Sequence, residues 1–349
     1  MSQALLDRPV YGPRDPEAFL AEMNRLTRFH QTHCPDYLRV FPDIVPARQI
    51  EDLPYLHVSA FKHVPFRTQD GTITHERVLN SSATSSAQAS QIALDQQSSA
   101  LQAQSSQAIL SDFIGAESRP LLILDDKAAL VQRGTVSARI AAGLALRPFA
   151  SRIAFALGSQ AADAPVLWDR VAVSLEGQDS LLIYGFTWVL WRLWAGGDMP
   201  PNLARRLSEV QVTYVHSGGW KKLEADRVSA EDFNARLLGL AGPGSQVIDY
   251  YGLVEQNGVV FPQCAAGWRH VPVWADVLGR DPHTHRIVED APAQLQLMNV
   301  TPRGAPYHTV LTEDLGEVQQ GPCTCGRSGR RFKLLGRLPK AETRGCANV

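Results

Sequence analysis

Val247-Ile248-Asp249-Tyr250-Tyr251-Gly252-Leu253-Val254-Glu255-Gln256 is the stretch whose reading decides the fold. A β-branched and aromatic run enters a glycine and is followed by an acid. It predicts a strand, a turn at Gly252 and a carboxylate, Glu255, presented just beyond the strand end. Open α/β sheets bind their ligands at that edge. An aromatic pair closing a strand beside a solvated Glu has the same sequence, so the context has to decide. Upstream stands a hydroxyl-rich run, Ser81-Ser82-Ala83-Thr84-Ser85-Ser86; downstream come Thr312-Glu313-Asp314 and then Gly336-Arg337.

Outward from this stretch, strand and helix signals alternate. Arg77–Asn80 reads as a short strand that delivers Ser81 to Ser86 on a turn. Leu121–Leu124 reads as a buried strand ending in Asp125-Asp126, followed by a helix through Ser137 to Leu146, and Arg152–Leu157 repeats the strand pattern. Leu181–Tyr184 is a further strand, with Gly185 at the turn and Thr187–Trp194 as a helix whose Trp188, Trp191 and Trp194 are core residues rather than a stacking platform. Gln211–Val215 is the next strand, leading into His216-Ser217-Gly218-Gly219. This rhythm implies a layered α/β body with a mostly parallel sheet. The Ser-, Gln- and Ala-rich span Ala87–Leu110 is read as a helix carrying Ile92, Leu94, Leu101, Ile109 and Leu110, because a strand-turn-helix unit needs a closely packed helix there and a linker would not serve.

Phe19, Met23, Leu26 and Phe29, spaced by three and four, predict a helical N-terminal cap over residues 1–50. The α/β body is expected over 51–335. Its texture changes after Tyr250 to short strands, turns and prolines, which predicts a small β-rich lobe at about 256–335. Residues 336–349 form a tail.

With 349 residues and 44% hydrophobic content the chain can bury a large core. A net charge of −1 gives no basic field, which argues against nucleic-acid binding as the main task. The N-terminus lacks the pattern of a signal peptide, and no later run reaches the ~18 apolar residues of a membrane span. A cytoplasmic protein is expected, and its five cysteines, odd in number and clustered late, are expected to be reduced thiols or metal ligands. Four candidate ligands stand out: Cys264 and His270 spaced Cys-x5-His, then Cys323 and Cys325 spaced Cys-x-Cys. Three thiolates and an imidazole make a closed tetrahedral set for a structural Zn2+, the alternative being ordinary reduced cysteines beside a surface His.

The ordered motifs resemble the adenylate-forming superfamily, and within it the acyl-protein synthetase branch typified by the bacterial luminescence fatty-acid ligase; phenylacetate-coenzyme A ligases are similar at greater distance. The resemblance spans roughly residues 50 to 349. It includes Tyr184-Gly185-Phe186-Thr187, His216-Ser217-Gly218-Gly219-Trp220-Lys221-Lys222, Asp249 to Gln256, and Arg344-Gly345-Cys346. It implies the large N-terminal domain of an adenylate-forming enzyme. It also implies roles: Ser81, Ser82, Thr84, Ser85 and Ser86 as the loop around the β- and γ-phosphates of ATP; Ser217, Gly218 and Gly219 beside adenine; Tyr250, Tyr251 and Gly252 at the nucleotide; Glu255 on Mg2+; Asp314 on the ribose hydroxyls; and Arg337 near ribose or phosphate. Phe186, Trp188 and Trp220 are expected to border the acid pocket.

The sequence departs from the family pattern at several points. Ala83 and Ser86 stand where the phosphate loop usually has glycines, Val254 where Thr is frequent, and Leu338-Pro339-Lys340 where an acidic hinge motif is expected. The chain stops where a further C-terminal domain would begin. The resemblance implies ATP-dependent activation of a carboxylic acid, fatty or other, as an acyl-adenylate, with Cys346 accepting the acyl group as a thioester for delivery to a reductase or another acceptor protein. Transfer to coenzyme A or a carrier protein, and a catalytically weak acyl-binding scaffold, are the alternative expectations.

Overall fold

The computed structural model describes residues 2–81, 89–130, 135–159, 161, 163–220 and 225–338. The chain begins with α1 (Ser2–Leu6), α2 (Pro16–His33) and α3 (Pro35–Val40). Asp15 caps α2 by accepting a hydrogen bond from Ala18 N at 2.9 Å, and Pro16 occupies the first turn, where its missing N–H costs nothing. Phe19, Met23 and Leu26 face inward from α2 as their spacing predicts. Next come β1 (Leu56–His57), α4 (Ala60–His63), β2 (His75–Asn80), β3 (Gln91–Asp95) and α5 (Gln96–Ile114).

The span read as one helix from Ala87 is therefore corrected. Ile92 and Leu94 are buried residues of strand β3, paired antiparallel with β2. The helix starts only after Asp95, whose side chain caps it by accepting from Ser98 N at 2.9 Å. Asp95 was the overlooked stop signal: an Asp before a helix-forming run is an N-cap, and the alternating residues before it are strand.

β4 (Arg119–Asp126), α6 (Ala138–Leu144), β6 (Ala150–Leu157), α7 (Trp168–Leu175), β7 (Ser180–Phe186), α8 (Thr187–Val189), α9 (Pro201–Leu207), β8 (Gln211–Ser217), α10 (Ala230–Leu238), β9 (Gln246–Tyr251) and β10 (Phe261–Pro262) build the first layer, while β5 (Thr135–Ser137), between β4 and α6 in the chain, belongs to another sheet. Their six-stranded sheet runs β10-β9-β8-β7-β4-β6, parallel throughout except for the antiparallel edge strand β10. Strands covered on both faces read as unbroken apolar runs, which is why Leu121–Leu124 and Leu181–Ile183 were legible. Two boundaries move. Gly185 lies inside β7, paired with His216, because any side chain there would press on Leu124 and Leu190; the helix read from Ser137 begins at Ala138, after the short β5.

β11 (Arg269–His270), β12 (Ala275–Arg280), β13 (Pro292–Asn299), β14 (Thr309–Gln320) and β15 (Arg330–Arg337) form the second sheet, antiparallel in the order β11-β15-β14-β13-β12, with β1 added parallel to β14. A third sheet, β3-β2-β5, has three strands. Among the described residues no helix is long and apolar enough to cross a membrane.

Helix α5 is buried along an unusually polar face, Ser98, Gln102, Ser105 and Ser106, and the loop after Glu255 lies directly on it. Gly258 has φ +87°, and a Cβ there would sit 2.4 Å from Gln102 Cβ and 2.6 Å from its Cα. Both the conformation and the contact exclude a side chain. Gly258→Ala is therefore expected to destabilise the protein by about 3 kcal/mol or more, read as a lowered midpoint in denaturant unfolding.

Candidate active site and metal centre

β9 ends at Tyr251, and Gly252 and Leu253 lead into a single 3-10 turn, Val254–Gln256. Gln256 anchors that turn although it is fully buried: its Nε2 donates to Tyr307 O at 2.9 Å and its Oε1 accepts from Asn299 Nδ2 at 2.8 Å. A satisfied buried amide costs little, whereas an unsatisfied one is expensive. Its neighbour Glu255 is thereby held inside, 3% exposed. Burial pushes the Glu255 carboxyl up from its usual range, while a hydrogen bond from Ser90 and the charge of Lys62 oppose the rise.

Ser90 ties Glu255 to the base of the hydroxyl-rich loop. Ser81 N donates to Ser90 O at 3.1 Å, and Ser90 N donates to Ser81 Oγ at 2.9 Å, closing the β2–β3 hairpin at its open end. Ser82, Ala83, Thr84, Ser85 and Ser86 lie outside the described residues, as do Lys221, Lys222, Lys340, Arg344, Gly345 and Cys346.

Asp314 sits within β14, which continues past it to Gln320. Arg337, the last residue of β15, lies opposite it in register, with Nε 3.4 Å from Asp314 Oδ1. Tyr251 reaches over from the parallel sheet and donates its hydroxyl hydrogen to Asp314 Oδ2 at 2.7 Å. Burial raises the Asp314 carboxyl, and the Tyr251 hydrogen bond and the Arg337 guanidinium pull it back. The structure thus brings Ser81, Tyr251, Gly252, Glu255, Asp314 and Arg337 together at one edge of the two sheets.

Tyr250 points to the opposite face, as successive strand residues must. There it is buried beside Tyr184 and Ser217, and Tyr184 Oη lies 3.3 Å from Ser217 Oγ. Gly218 follows with φ +77°, and its carbonyl accepts from Thr187 Oγ1 at 2.6 Å. Gly219 is open to any approaching group, with nothing within 4 Å of where its Cβ would stand. Trp220 packs edge-on against Trp191 in a cluster with Phe233 and His216; Trp188 lies near the Arg139 guanidinium; Phe186 is nearest Gly218. Of the tryptophan stripe only Trp194 is fully buried, 1% exposed, the other two being half-buried.

Cys264, His270, Cys323 and Cys325 converge in the β-rich lobe, with one ligand atom from each lying within 4.8 Å of all the others. Four bonds of about 2.0–2.3 Å in a tetrahedron put ligand atoms roughly 3.5–3.8 Å apart, so this donor set fits a zinc ion. Cys325 Sγ is 3.2 Å from His270 Nε2. Against burial, which raises it, hydrogen bonds from Arg327 and the neighbouring thiols bring the Cys325 thiol below its usual range, toward the thiolate a metal requires. Burial and the charges of Arg327 and Arg331 lower the His270 imidazole to about 4, which keeps it neutral and able to ligate.

Ser90 and Lys62 carry no motif and were not singled out from the sequence, and Gln256 stood only as the last residue of the Glu255 stretch, with no role. Ser90 had one usable signal, its place shortly after the hydroxyl run; Lys62 and the anchoring role of Gln256 are located only by the fold. Because Asp314 is buried and Tyr251 supplies a principal donor, Tyr251→Phe is expected to cost about 1–2 kcal/mol of stability and to raise the Asp314 carboxyl further. Denaturant unfolding and a carboxyl NMR titration measure the two effects.

Residues 18–349 match the family described as acyl-protein synthetase, LuxE. A long-chain-fatty-acid–luciferin-component ligase of Aliivibrio fischeri is 27% identical over 140 residues, which cover 39% of this chain and 36% of that protein. The match therefore spans little more than a third of that relative's length. Among solved structures, an open conformation of 2-hydroxyisobutyryl-CoA ligase in complex with 2-HIB-AMP and CoA superposes with a TM-score of 0.61 at 15% identity, over 92% of this chain and 69% of that one. The same ligase in its thioesterification state gives a TM-score of 0.60 at 15% identity, over 95% and 70%. The fold is that of the large domain of adenylate-forming enzymes, and the chain belongs to the acyl-protein synthetase, LuxE, family.

Proposed function

We propose that the protein activates a carboxylic acid with ATP and passes the acyl group to a thiol, its own Cys346, for delivery to an acceptor protein. The observation that carries this reading is the meeting of Glu255, the Ser81–Ser90 loop base and the Tyr251–Asp314 pair at one sheet edge. In the first half-reaction a carboxylate oxygen of the acid forms a bond to the α-phosphorus of ATP, the bond from that phosphorus to the bridging oxygen breaks, and pyrophosphate leaves. Asp314 is the acceptor for the ribose hydroxyls in this reading, supported by its burial and by its contacts to Tyr251 and Arg337. Glu255 is the hard-oxygen ligand for Mg2+, which when bound neutralises polyphosphate charge. The polar loop base orients the phosphates and the buried turn keeps water from the carboxylate.

In the second half-reaction the Cys346 thiolate attacks the acyl carbonyl, the C–O bond to AMP breaks and a thioester forms. A fatty acid is the substrate class the family relationship favours, and a reductase or other acyl-acceptor protein is the partner it implies. Wild-type protein is expected to catalyse ATP–pyrophosphate exchange with at least one acid of a broad panel. Cys346→Ser is expected to keep exchange within about twofold and to lose covalent acylation, because a hydroxyl without a base is a far weaker nucleophile. Acylation at the wild-type rate in that variant would exclude Cys346 as the acceptor.

The Cys/His set is assigned here to a structural zinc ion. Purified protein should hold about one zinc per chain, and a Cys323→Ser, Cys325→Ser double variant should lose it together with several kcal/mol of stability, on the order of what a structural zinc contributes. Metal analysis showing full occupancy in the double variant overturns the assignment.

A further inference from the structure

Glu255 and Asp314 bring two carboxylates to an edge which, on the adenylation reading above, must also accept a polyphosphate and a carboxylic acid. Arg337 is already committed to Asp314. A second cation comes from a distant part of the chain. β1 runs parallel to β14 with Leu56 opposite Val310 and His57 opposite Leu311, and Val58 N extends the pairing by donating to Leu311 O at 2.8 Å. The chain then bends through Ser59, whose carbonyl accepts from Lys62 N at 3.1 Å, into the one-turn helix α4. Phe61 fixes that turn: it is 1% exposed and packs in a cluster with Val254, Ile92, Leu94 and Val310.

Val254 immediately precedes Glu255, so the residue after Phe61 stands beside the Glu255 turn. That residue is Lys62. It is half-buried, and among the described residues its ammonium makes neither an ion pair nor a hydrogen bond. Its charge acts on Glu255 from one side and on His57 from the other. A lysine held on a packed turn, its charge acting on Glu255 and its ammonium paired with no described residue, is a donor without an acceptor.

We propose that Lys62 is a phosphate-contacting residue of the adenylation site, its ammonium hydrogen-bonding the phosphoryl oxygens on which charge builds as the acid attacks and pyrophosphate departs. In this step the carboxylate-to-phosphorus bond forms, the phosphorus-to-bridging-oxygen bond breaks with its electron pair leaving on pyrophosphate, and no proton is transferred. Preorganised cations aimed at such charge act mainly on the transition state, so the loss falls on turnover more than on binding. The proposal rests on the adenylation reading, but its test separates the two.

ATP–pyrophosphate exchange would be measured for wild type, Lys62→Met, which keeps the apolar stem, and Lys62→Arg. Lys62→Met should lose about 10- to 100-fold in kcat with the KM for the acid changed less than threefold, the range for a single electrostatic donor. Its unfolding midpoint should match wild type, and Lys62→Arg should recover most of the rate. A purely structural lysine would shift the midpoint and leave kcat alone. Exchange within about twofold of wild type in Lys62→Met overturns the proposal. If wild type exchanges with no acid, the adenylation reading fails, and calorimetry with Mg·ATP decides for Lys62: at least fivefold weaker binding in Lys62→Met upholds the phosphate contact, and equal binding, or none in wild type, overturns it.

Discussion

The buried amide of Gln256 is the interaction on which the site depends. It is bonded on one side to the backbone of Tyr307 and on the other to Asn299, whose Oδ1 in turn accepts from Thr301 N at 2.9 Å. Next to it, Asn257 Nδ2 donates to Gln102 Oε1 at 2.6 Å, and Gln102 Nε2 donates to Tyr307 Oη at 2.8 Å. A turn of three residues is thus bonded to both the antiparallel sheet and α5. In a low-dielectric interior each of these bonds is hard to break, because the partner left behind has no water to turn to. That rigidity keeps Glu255 in a place where its own charge is unfavourable.

Two neighbouring tyrosines divide the strand end. Tyr250 joins Tyr184 and Ser217 on one face of the parallel sheet, and Tyr251 crosses to Asp314 in the antiparallel sheet. The alternation of strand side chains does this without any loop. One face becomes a wall of hydroxyls and aromatic rings, the other a set of carboxylates with their donors. Both Glu255 and Asp314 are raised by burial, so each needs a cation or donors to stay ionised, and the groups that supply them, Ser90, Tyr251, Arg337 and Lys62, come from four different segments.

The parallel sheet was legible because strands buried on both faces are apolar throughout, and the Glu255 edge was legible because β9, a half-buried β-branched and aromatic run, ends just before a glycine. The Cys/His set was legible from ligand type alone. Three things were not. The strand Gln91–Asp95 was hidden in a Ser-, Gln- and Ala-rich span, where composition outweighed two alternating apolar residues and an N-cap. Gly185 reads as a turn residue, but here it spares a collision with Leu124 and Leu190 in mid-strand. Lys62 is invisible because its location follows from β1 pairing with a strand about 250 residues later, a long-range contact that no local pattern records.

Helix α5 ties the cysteine cluster and the Glu255 edge into one unit. Its first turn is tied by Asp95 Oδ2, which accepts from Gly304 N at 2.7 Å, and by Ser98 Oγ, which accepts from Arg303 N at 2.8 Å. Its middle carries Gln102 to the Glu255 turn, and Ser105 Oγ accepts from Trp274 Nε1 at 2.7 Å. Its last turn is gripped at Asp112 by Arg327, which also bonds Cys325 and lies 4.0 Å from the centre of the Phe113 ring. The polar face that composition alone would assign to a linker is therefore a row of bonded contacts. A metal ion at the four-ligand cluster would fix Arg327 through Cys325, and through Arg327 the end of α5. Loosening that end would reach the Glu255 turn by way of Gln102, so an ion bound at the cluster would have a physical route to the carboxylate.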